Sequence, residues 1–278
     1  MEVREAINLA EEKLKNAGVN DWRTDAKLIY MKLFSVNDLF FIMNGRKEIT
    51  KEDEEKYFIY IEKRSERVPV QEIFGETEFY GLPFRVNRSV LTPRLETELV
   101  LEKALEVIRD LKGRSVLDIC TGSGILGICI KHDLPELSVT LSDISEDALK
   151  TAAENAELNG TDVEIVRSDM FSSISGKYDM IVSNPPYITL DEMSSLEPEV
   201  LNYDPRIALT DEGDGLSFYR IIAEEGISHL NENGAVVLEI GYNQGETVAD
   251  ILRGTGRYRK VEYFKDYSGN DRIAVAYI

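Results

Sequence analysis

Cysteine, histidine and long apolar runs are all in short supply in this chain. The only cysteines, Cys120 and Cys129, stand too near each other to staple a fold, so a reducing, cytoplasmic location is expected. The only histidines, His132 and His229, fall near the C-terminal ends of expected helices, where a cation is structurally favourable. With no cysteine or histidine at metal-ligand spacing, no metal site is expected. No segment approaches the ~20 apolar residues that a membrane span needs. The charged opening Met1-Glu2-Val3-Arg4-Glu5 is unlike a signal peptide, so no membrane partner is expected.

Basic charge is scarce as well. The formal net charge is −19, and it is uneven: residues 1–94 hold 16 Lys/Arg against 17 Asp/Glu, residues 95–278 hold 16 against 34. A protein that grips nucleic acid usually carries a basic face, so stable nucleic-acid binding by the larger part is disfavoured.

What is present is an ordinary globular composition, 43% hydrophobic over 278 residues, enough for one large domain and a smaller one. Residues 1–68 read as a helical domain. Ala6, Leu9, Ala10 and Leu14 recur at helical spacing before Gly18, a second helix runs from about Thr24 to Leu33, and Thr50 with Asp53 forms a capping box for a third. Residues 69–92 change to the alternation of a β-hairpin around Tyr80-Gly81, and Thr92-Pro93 is expected to open a helix. From Ser115 to Ile278, within a third region spanning 93–278, strands and helices alternate. That pattern predicts an α/β fold with a doubly wound, mainly parallel sheet.

The loops after these strands carry the chemistry. Asp118-Ile119-Cys120-Thr121-Gly122-Ser123-Gly124 ends the first strand, and Gly122 and Gly124 permit a sharp turn with close approach to a ligand. The run from Gly122 to Gly127 satisfies G-x-G-x-x-G, which by itself is weak. Asp143, at the end of the next strand, is placed to accept from both hydroxyls of a ribose. After the third strand, Asp169 can accept from an adenine amino group, with Met170 or Phe171 against the ring. These features suit a nicotinamide dinucleotide and S-adenosyl-L-methionine alike. Cys129 reads as helix core and Cys120 as a loop-packing residue.

Ser183-Asn184-Pro185-Pro186-Tyr187 separates the two. Paired prolines lack N–H groups and fix φ, so the strand must end in a stiff turn that leaves the Asn184 amide oxygen and nearby carbonyls free to accept. Rigid acceptors side by side can hold the two hydrogens of a planar NH2 group. Hydride transfer does not need that arrangement. Methyl transfer to a planar nitrogen does, because its delocalised lone pair attacks poorly until its N–H groups are held and positive charge is stabilised. Tyr187 would wall the planar group.

In this order Asp118–Gly124, Asp143 and Asn184–Tyr187 resemble class I adenosylmethionine-dependent methyltransferases acting on planar amino nitrogens. Glu72–Glu98 (with Thr92–Glu98 within it), Asp204–Leu209, Asp214–Tyr219 and Leu238–Gly245 narrow the likeness to release-factor glutamine methyltransferases, over essentially the whole chain. The resemblance implies a Rossmann-like sheet, a substrate-recognising N-terminal domain, S-adenosyl-L-methionine as cofactor with S-adenosyl-L-homocysteine as product, and class 1 peptide chain release factors as partners. The methyl acceptor would be the side-chain amide of the glutamine in their Gly-Gly-Gln motif. Carried over, Asn184 and Pro185 would hold that amide with Tyr187 beside it. Cys120, Thr121, Gly122, Ser123, Gly124, Asp143 and Met170 would line the cofactor site, to which the residue reading adds Asp118, Asp169 and Asn184. Pro186 completes the substrate turn. The chain departs from the family's usual glycine at Cys120 and usual proline at Leu95. Rival readings are a nucleobase amino methyltransferase, a ribosomal-protein glutamine methyltransferase and an idle binding module on the same fold.

Overall fold

The computed structural model describes residues 1–278, which divide into two compact units. The smaller comprises Met1–Gly75 together with Pro198–Tyr203, and the larger comprises Glu76–Glu197 and Asp204–Ile278.

The small unit is helical, with helices at Val3–Asn16, Trp22–Phe34, Asp38–Asn44, Lys51–Ser65 and Val70–Phe74. Thr50 caps the fourth as its sequence pattern predicts, its hydroxyl accepting from the Asp53 N–H at 3.1 Å. Ala6, Ala10, Leu14, Ile29, Tyr57 and Ile61 form a dry centre, and the buried Tyr57 hydroxyl donates to the Ala26 carbonyl at 2.8 Å. Arg64 lies buried between two acids, Asp25 at 2.7 Å and Glu199 at 2.9 Å, and Arg67 also pairs with Glu199. The two short helices differ from expectation. Asp38–Asn44 leaves Leu39, Ile42 and Met43 exposed, so it has no buried stripe for periodicity to register. Val70–Phe74 is a single turn stopped by Gly75 at φ 71°, inside the stretch expected to be hairpin.

The larger unit begins with that hairpin, β1 (Glu76–Phe79) and β2 (Leu82–Arg85), turning on Tyr80 and Gly81, both at positive φ. Its sheet contains β3 (Ser115–Ile119), β4 (Ser138–Asp143), β5 (Glu164–Arg167), β6 (Tyr178–Ser183), β7 (Leu230–Glu239), β8 (Lys260–Lys265) and β9 (Asp271–Tyr277), in the order β5-β4-β3-β6-β7-β9-β8. The first five are parallel, and β9 runs antiparallel to both neighbours. Side chains alternate between two cores. Val116, Met180 and Val182 join one with the helices Glu96–Leu111, Ile125–Asp133 and Glu146–Leu158; Leu117 and Ile181 join the other with Ser217–Glu225 and Gly245–Gly254. The sheet winds outward in both directions from β3 and β6, which opens a crevice at their C-terminal ends.

The helix expected from Thr92 begins only at Glu96. Residues 92–95 are instead held as a loop by Asp204, which accepts from the Thr92 N–H at 3.1 Å and pairs with Arg94 at 2.5 Å. A contact so distant in sequence overrides the local preference for proline in a first helical turn. No helix is long and apolar enough to cross a membrane.

Candidate active site

A cavity opens at the C-terminal ends of β3, β4 and β6, and the expected residues converge on it. Asp118, Cys120, Thr121, Gly122, Ser123, Asp143, Asp169, Met170, Asn184 and Pro186 line its wall. Gly124, Pro185 and Tyr187 do not.

The loop after β3 is shaped by Asp118. This residue is fully buried, and one carboxylate oxygen accepts from the Thr121 hydroxyl at 2.6 Å and the Gly127 N–H at 2.9 Å. Its other oxygen, Oδ1, is buried with no partner. Burial pushes the carboxyl up to about 7, against the pull of those two hydrogen bonds. An orphan acceptor of this kind suits a cationic donor such as an α-ammonium group. Gly122 sits at φ 56° on the cavity wall, with open space where a Cβ would stand. Gly124, at φ 85°, is off the lining, and a Cβ there would stand 2.7 Å from the Ile128 side chain, so its lack of one also helps to seat the next helix.

Asp143 closes the next strand. Its carboxylate accepts from the Gly122 N–H and the Ser145 N–H, both at 2.9 Å, which fixes it across the glycine loop. Each oxygen keeps acceptor capacity for a diol. Burial raises this carboxyl too. Cys120 and Met170 face each other with their sulfurs 3.9 Å apart, each on a residue of positive φ. Burial, then the Asp143 and Asp118 carboxylates, push the Cys120 thiol far up, which keeps it protonated and unreactive.

At the end of β6 the Ser183 hydroxyl donates to the Ile119 carbonyl at 2.6 Å, locking this strand end to β3. Asn184 follows, partly exposed, and Pro185 and Pro186 are buried. No hydrogen bond within the chain occupies the Asn184 side-chain amide or the Pro185 carbonyl, so both acceptors stand free. Tyr187 turns inward, its hydroxyl donating to Glu239 at 3.2 Å. Pro93, Arg94, Ile207 and Ala208 also line the cavity, and Asp204 ties the Thr92–Arg94 loop beside it.

Glu239, Gln244, Thr97 and Asp204 escaped the sequence reading as site residues. All four fall within the segments that carry the family resemblance, and Glu239 stands out further as the one acid in the apolar run Ala235–Ile240.

Two family profiles match the chain, "PrmC N-terminal domain" over residues 5–75 and "Methyltransferase small domain" over residues 97–213. Proteins named release factor glutamine methyltransferase are similar along almost the whole length. That of Fusobacterium nucleatum is 40% identical over 97% of this chain and 77% of its own, and that of Agrobacterium fabrum 39% identical over 95% and 93%. That of Streptococcus pneumoniae is 37% identical over 99% and 98%. Among solved structures, a methyltransferase from Pyrococcus furiosus superposes with a TM-score of 0.54 at 21% identity, covering 72% of this chain and 89% of its own. That likeness concerns the fold, a methyltransferase sheet as the alternation of strands and helices implied. By sequence over nearly its full length, the chain belongs to the release factor glutamine methyltransferase family.

Proposed function

We propose that the cavity binds S-adenosyl-L-methionine against the loops after β3, β4 and β5, and that the turn after β6 presents the acceptor glutamine to it. The enzyme methylates the side-chain amide nitrogen of a glutamine in peptide chain release factors, the one in their Gly-Gly-Gln motif. The observation that carries the placement is the pair of unengaged acceptors, Asn184 Oδ1 and the Pro185 carbonyl, on a proline-stiffened turn beside the Asp118–Gly124 loop.

The cavity residues fit the cofactor. Asp118 Oδ1, buried and unpartnered, would take the ammonium of the methionine part. Asp143 would take the ribose hydroxyls, Asp169 the adenine amino group, and Met170 the face of the ring. Gly122 leaves main chain where a side chain would crowd the ligand. When bound, this cofactor supplies a methyl group on a positively charged sulfonium and leaves as S-adenosyl-L-homocysteine.

The chain's own part is orientation and charge stabilisation. Asn184 Oδ1 and the Pro185 carbonyl would each accept one amide N–H, fixing the amide plane so that the lone pair perpendicular to it faces the methyl group and leaves conjugation as the new N–C bond forms. As the nitrogen gains positive charge these acceptors stabilise it, and the surplus proton leaves to solvent. Because the prolines hold the acceptors in place beforehand, little reorganisation is needed at the moment of transfer. The helical domain, residues 1–68, is assigned to recognition of the folded release factor, with the exposed Leu39, Ile42 and Met43 and the basic Arg46-Lys47 turn as contacts.

Transfer of labelled methyl from S-adenosyl-L-methionine to a purified release factor tests this reading. Label is expected on the wild-type factor and absent when its Gly-Gly-Gln glutamine is alanine. Label on naked RNA or on ribosomal protein, with the release factor untouched, would overturn it.

A further inference from the structure

Behind the Asn184–Tyr187 turn lies a buried polar cluster that touches Tyr187 at both its ends. Glu239 closes β7, next to β6 in the sheet, and is 1% exposed. One of its carboxylate oxygens accepts from the Tyr187 hydroxyl at 3.2 Å and the other from the buried Thr97 hydroxyl at 2.7 Å. Gln244 grips the same residue by its main chain. Its Nε2 donates to the Tyr187 carbonyl at 3.1 Å and to the Gly215 carbonyl at 3.5 Å, while its Oε1 accepts from the Gly241 N–H at 2.9 Å. Both glycines admit this only because they lack a Cβ. One at Gly215 would sit 2.2 Å from the Tyr187 carbonyl oxygen, and one at Gly241 would sit 2.8 Å from Gln244 Oε1.

A turn stiffened by two prolines is rigid within itself but still needs an anchor to the scaffold. Ser183 anchors its start to β3. Its far end is tied down one residue on, where the Ile188 N–H donates to the Leu209 carbonyl at 2.9 Å, and only Glu239 and Gln244 hold Tyr187 itself. We propose that Glu239 and Gln244 are positioning residues for methyl transfer, fixing the side chain and the carbonyl of Tyr187 so that the acceptors of Asn184 and Pro185 face the glutamine amide. The proposal rests on the reading of that turn as the amide-binding element. Neither residue lines the cofactor cavity, so both should affect turnover without matching effects on cofactor affinity.

Gln244→Glu is the sharpest probe. It keeps the shape but turns a donor into an acceptor facing two carbonyl oxygens. With a release factor as substrate, kcat should fall roughly tenfold to a hundredfold, as displacement of a reacting group by part of an ångström can cause. The dissociation constant for S-adenosyl-L-methionine should stay within about threefold. Glu239→Gln, which still accepts from Tyr187, should keep kcat within about threefold, whereas Glu239→Leu should lose it. In a Tyr187→Phe background Glu239→Leu should add nothing further, because the hydroxyl through which it acts is gone. If Gln244→Glu does not fold, Gln244→Met, which removes all three hydrogen bonds without adding charge, is read in its place with the same expectation. Equal losses in kcat and cofactor affinity, unchanged kcat in a folded Gln244 variant, or multiplying losses in the Tyr187→Phe background would each overturn the proposal. A wild-type enzyme inert toward the release factor would instead remove the reading beneath it, whereas an active wild type with the wrong variant pattern would remove this proposal alone.

Discussion

Strands β3 and β6 lie side by side, paired from Val116–Met180 to Ile119–Ser183, yet they end in opposite ways. The first gives way to Cys120–Gly124, a loop with three residues at positive φ that turns its buried acid, Asp118, back under itself. The second gives way to Asn184 and two prolines, with Asn184 and Pro186 on the cavity wall. Glycine lets main chain come close to a ligand; proline holds main chain still against one that must react. On the function proposed above, the two neighbours divide binding from positioning, and that division can be broken by substitution.

The largest effect is expected at the proline-stiffened end. Asn184→Ala removes one of two acceptors that meet charge developing on the nitrogen, so kcat should drop by about 10²–10³-fold. Cofactor affinity should move by less than about threefold, because the contacts of the glycine loop survive. Single-turnover kinetics beside equilibrium binding measure the two separately. A matching loss of affinity would mean that Asn184 chiefly binds cofactor and would dissolve the division.

At the glycine end the expected pattern is reversed. Asp118→Asn keeps an acceptor for Thr121 and Gly127 but presents an amide N–H2 where Oδ1 stood. Loss of one charge-assisted hydrogen bond, about 1.5–3 kcal/mol, should weaken S-adenosyl-L-methionine binding by roughly tenfold to a hundredfold. Maximal turnover at saturating cofactor should change far less. Calorimetric titration of both proteins decides it, and a variant that binds as well as wild type would leave Asp118 a purely structural acid.

The same carboxyl sets a pH dependence whose sign can be worked out. Its folded value is raised from 3.8 to about 7, so the native chain holds a proton that the unfolded chain gives up. Ligand-free stability therefore falls as pH rises from about 4 toward 7, and the loss persists above that. Cofactor affinity runs the other way, declining below about pH 7 as the proton displaces the ammonium. Asp118→Asn should flatten both profiles and raise the thermal midpoint of the ligand-free enzyme at pH 8. Thermal melts from pH 5 to 8, with and without cofactor, would show these crossing trends; parallel trends would contradict them.

Much of this division is legible before any coordinates. β3 and the helix Glu146–Leu158 fall where their patterns place them, because both faces of the central strand and one face of the helix are apolar, and Ser145 caps as expected, accepting from the Ala148 N–H at 3.2 Å. The candidate site is legible for a similar reason, since glycine and proline act through their own backbones, and most of the residues so marked line one cavity. What stayed hidden depends on distant partners. Lys260–Lys265 is an edge strand with half-exposed side chains and no apolar run. Asp204 holds Thr92 and Arg94 from more than a hundred positions away. Asn155 reads as a polar residue in a helix, yet it accepts from the Arg85 N–H at 2.7 Å and donates to the Ser123 carbonyl at 2.9 Å, joining the hairpin to the glycine loop. Gly124 lies off the cavity lining and its lack of a Cβ leaves room for Ile128, a packing relation that sequence spacing does not carry.

The smallest effect concerns the one side chain that the glycine-rich end carries against its own logic. Cys120 stands at φ 58°, a conformation that costs a residue with a Cβ roughly 1–2 kcal/mol relative to glycine. Part of that cost is returned, because glycine loses more conformational freedom on folding and because the Cys120 sulfur packs against Met170. Cys120→Gly should therefore shift stability by less than about 1 kcal/mol in either direction. Cofactor affinity should change by no more than about threefold, since the thiol is protonated and offers only a weak hydrogen bond. The chemistry at Asn184 should be untouched, with kcat at saturating cofactor equal to wild type. Chemical denaturation with cofactor titration on one preparation makes the measurement. A large fall in kcat on removing this thiol would mean that the glycine loop also helps to position the reacting groups, and that the two strand ends do not divide the work as their backbones suggest.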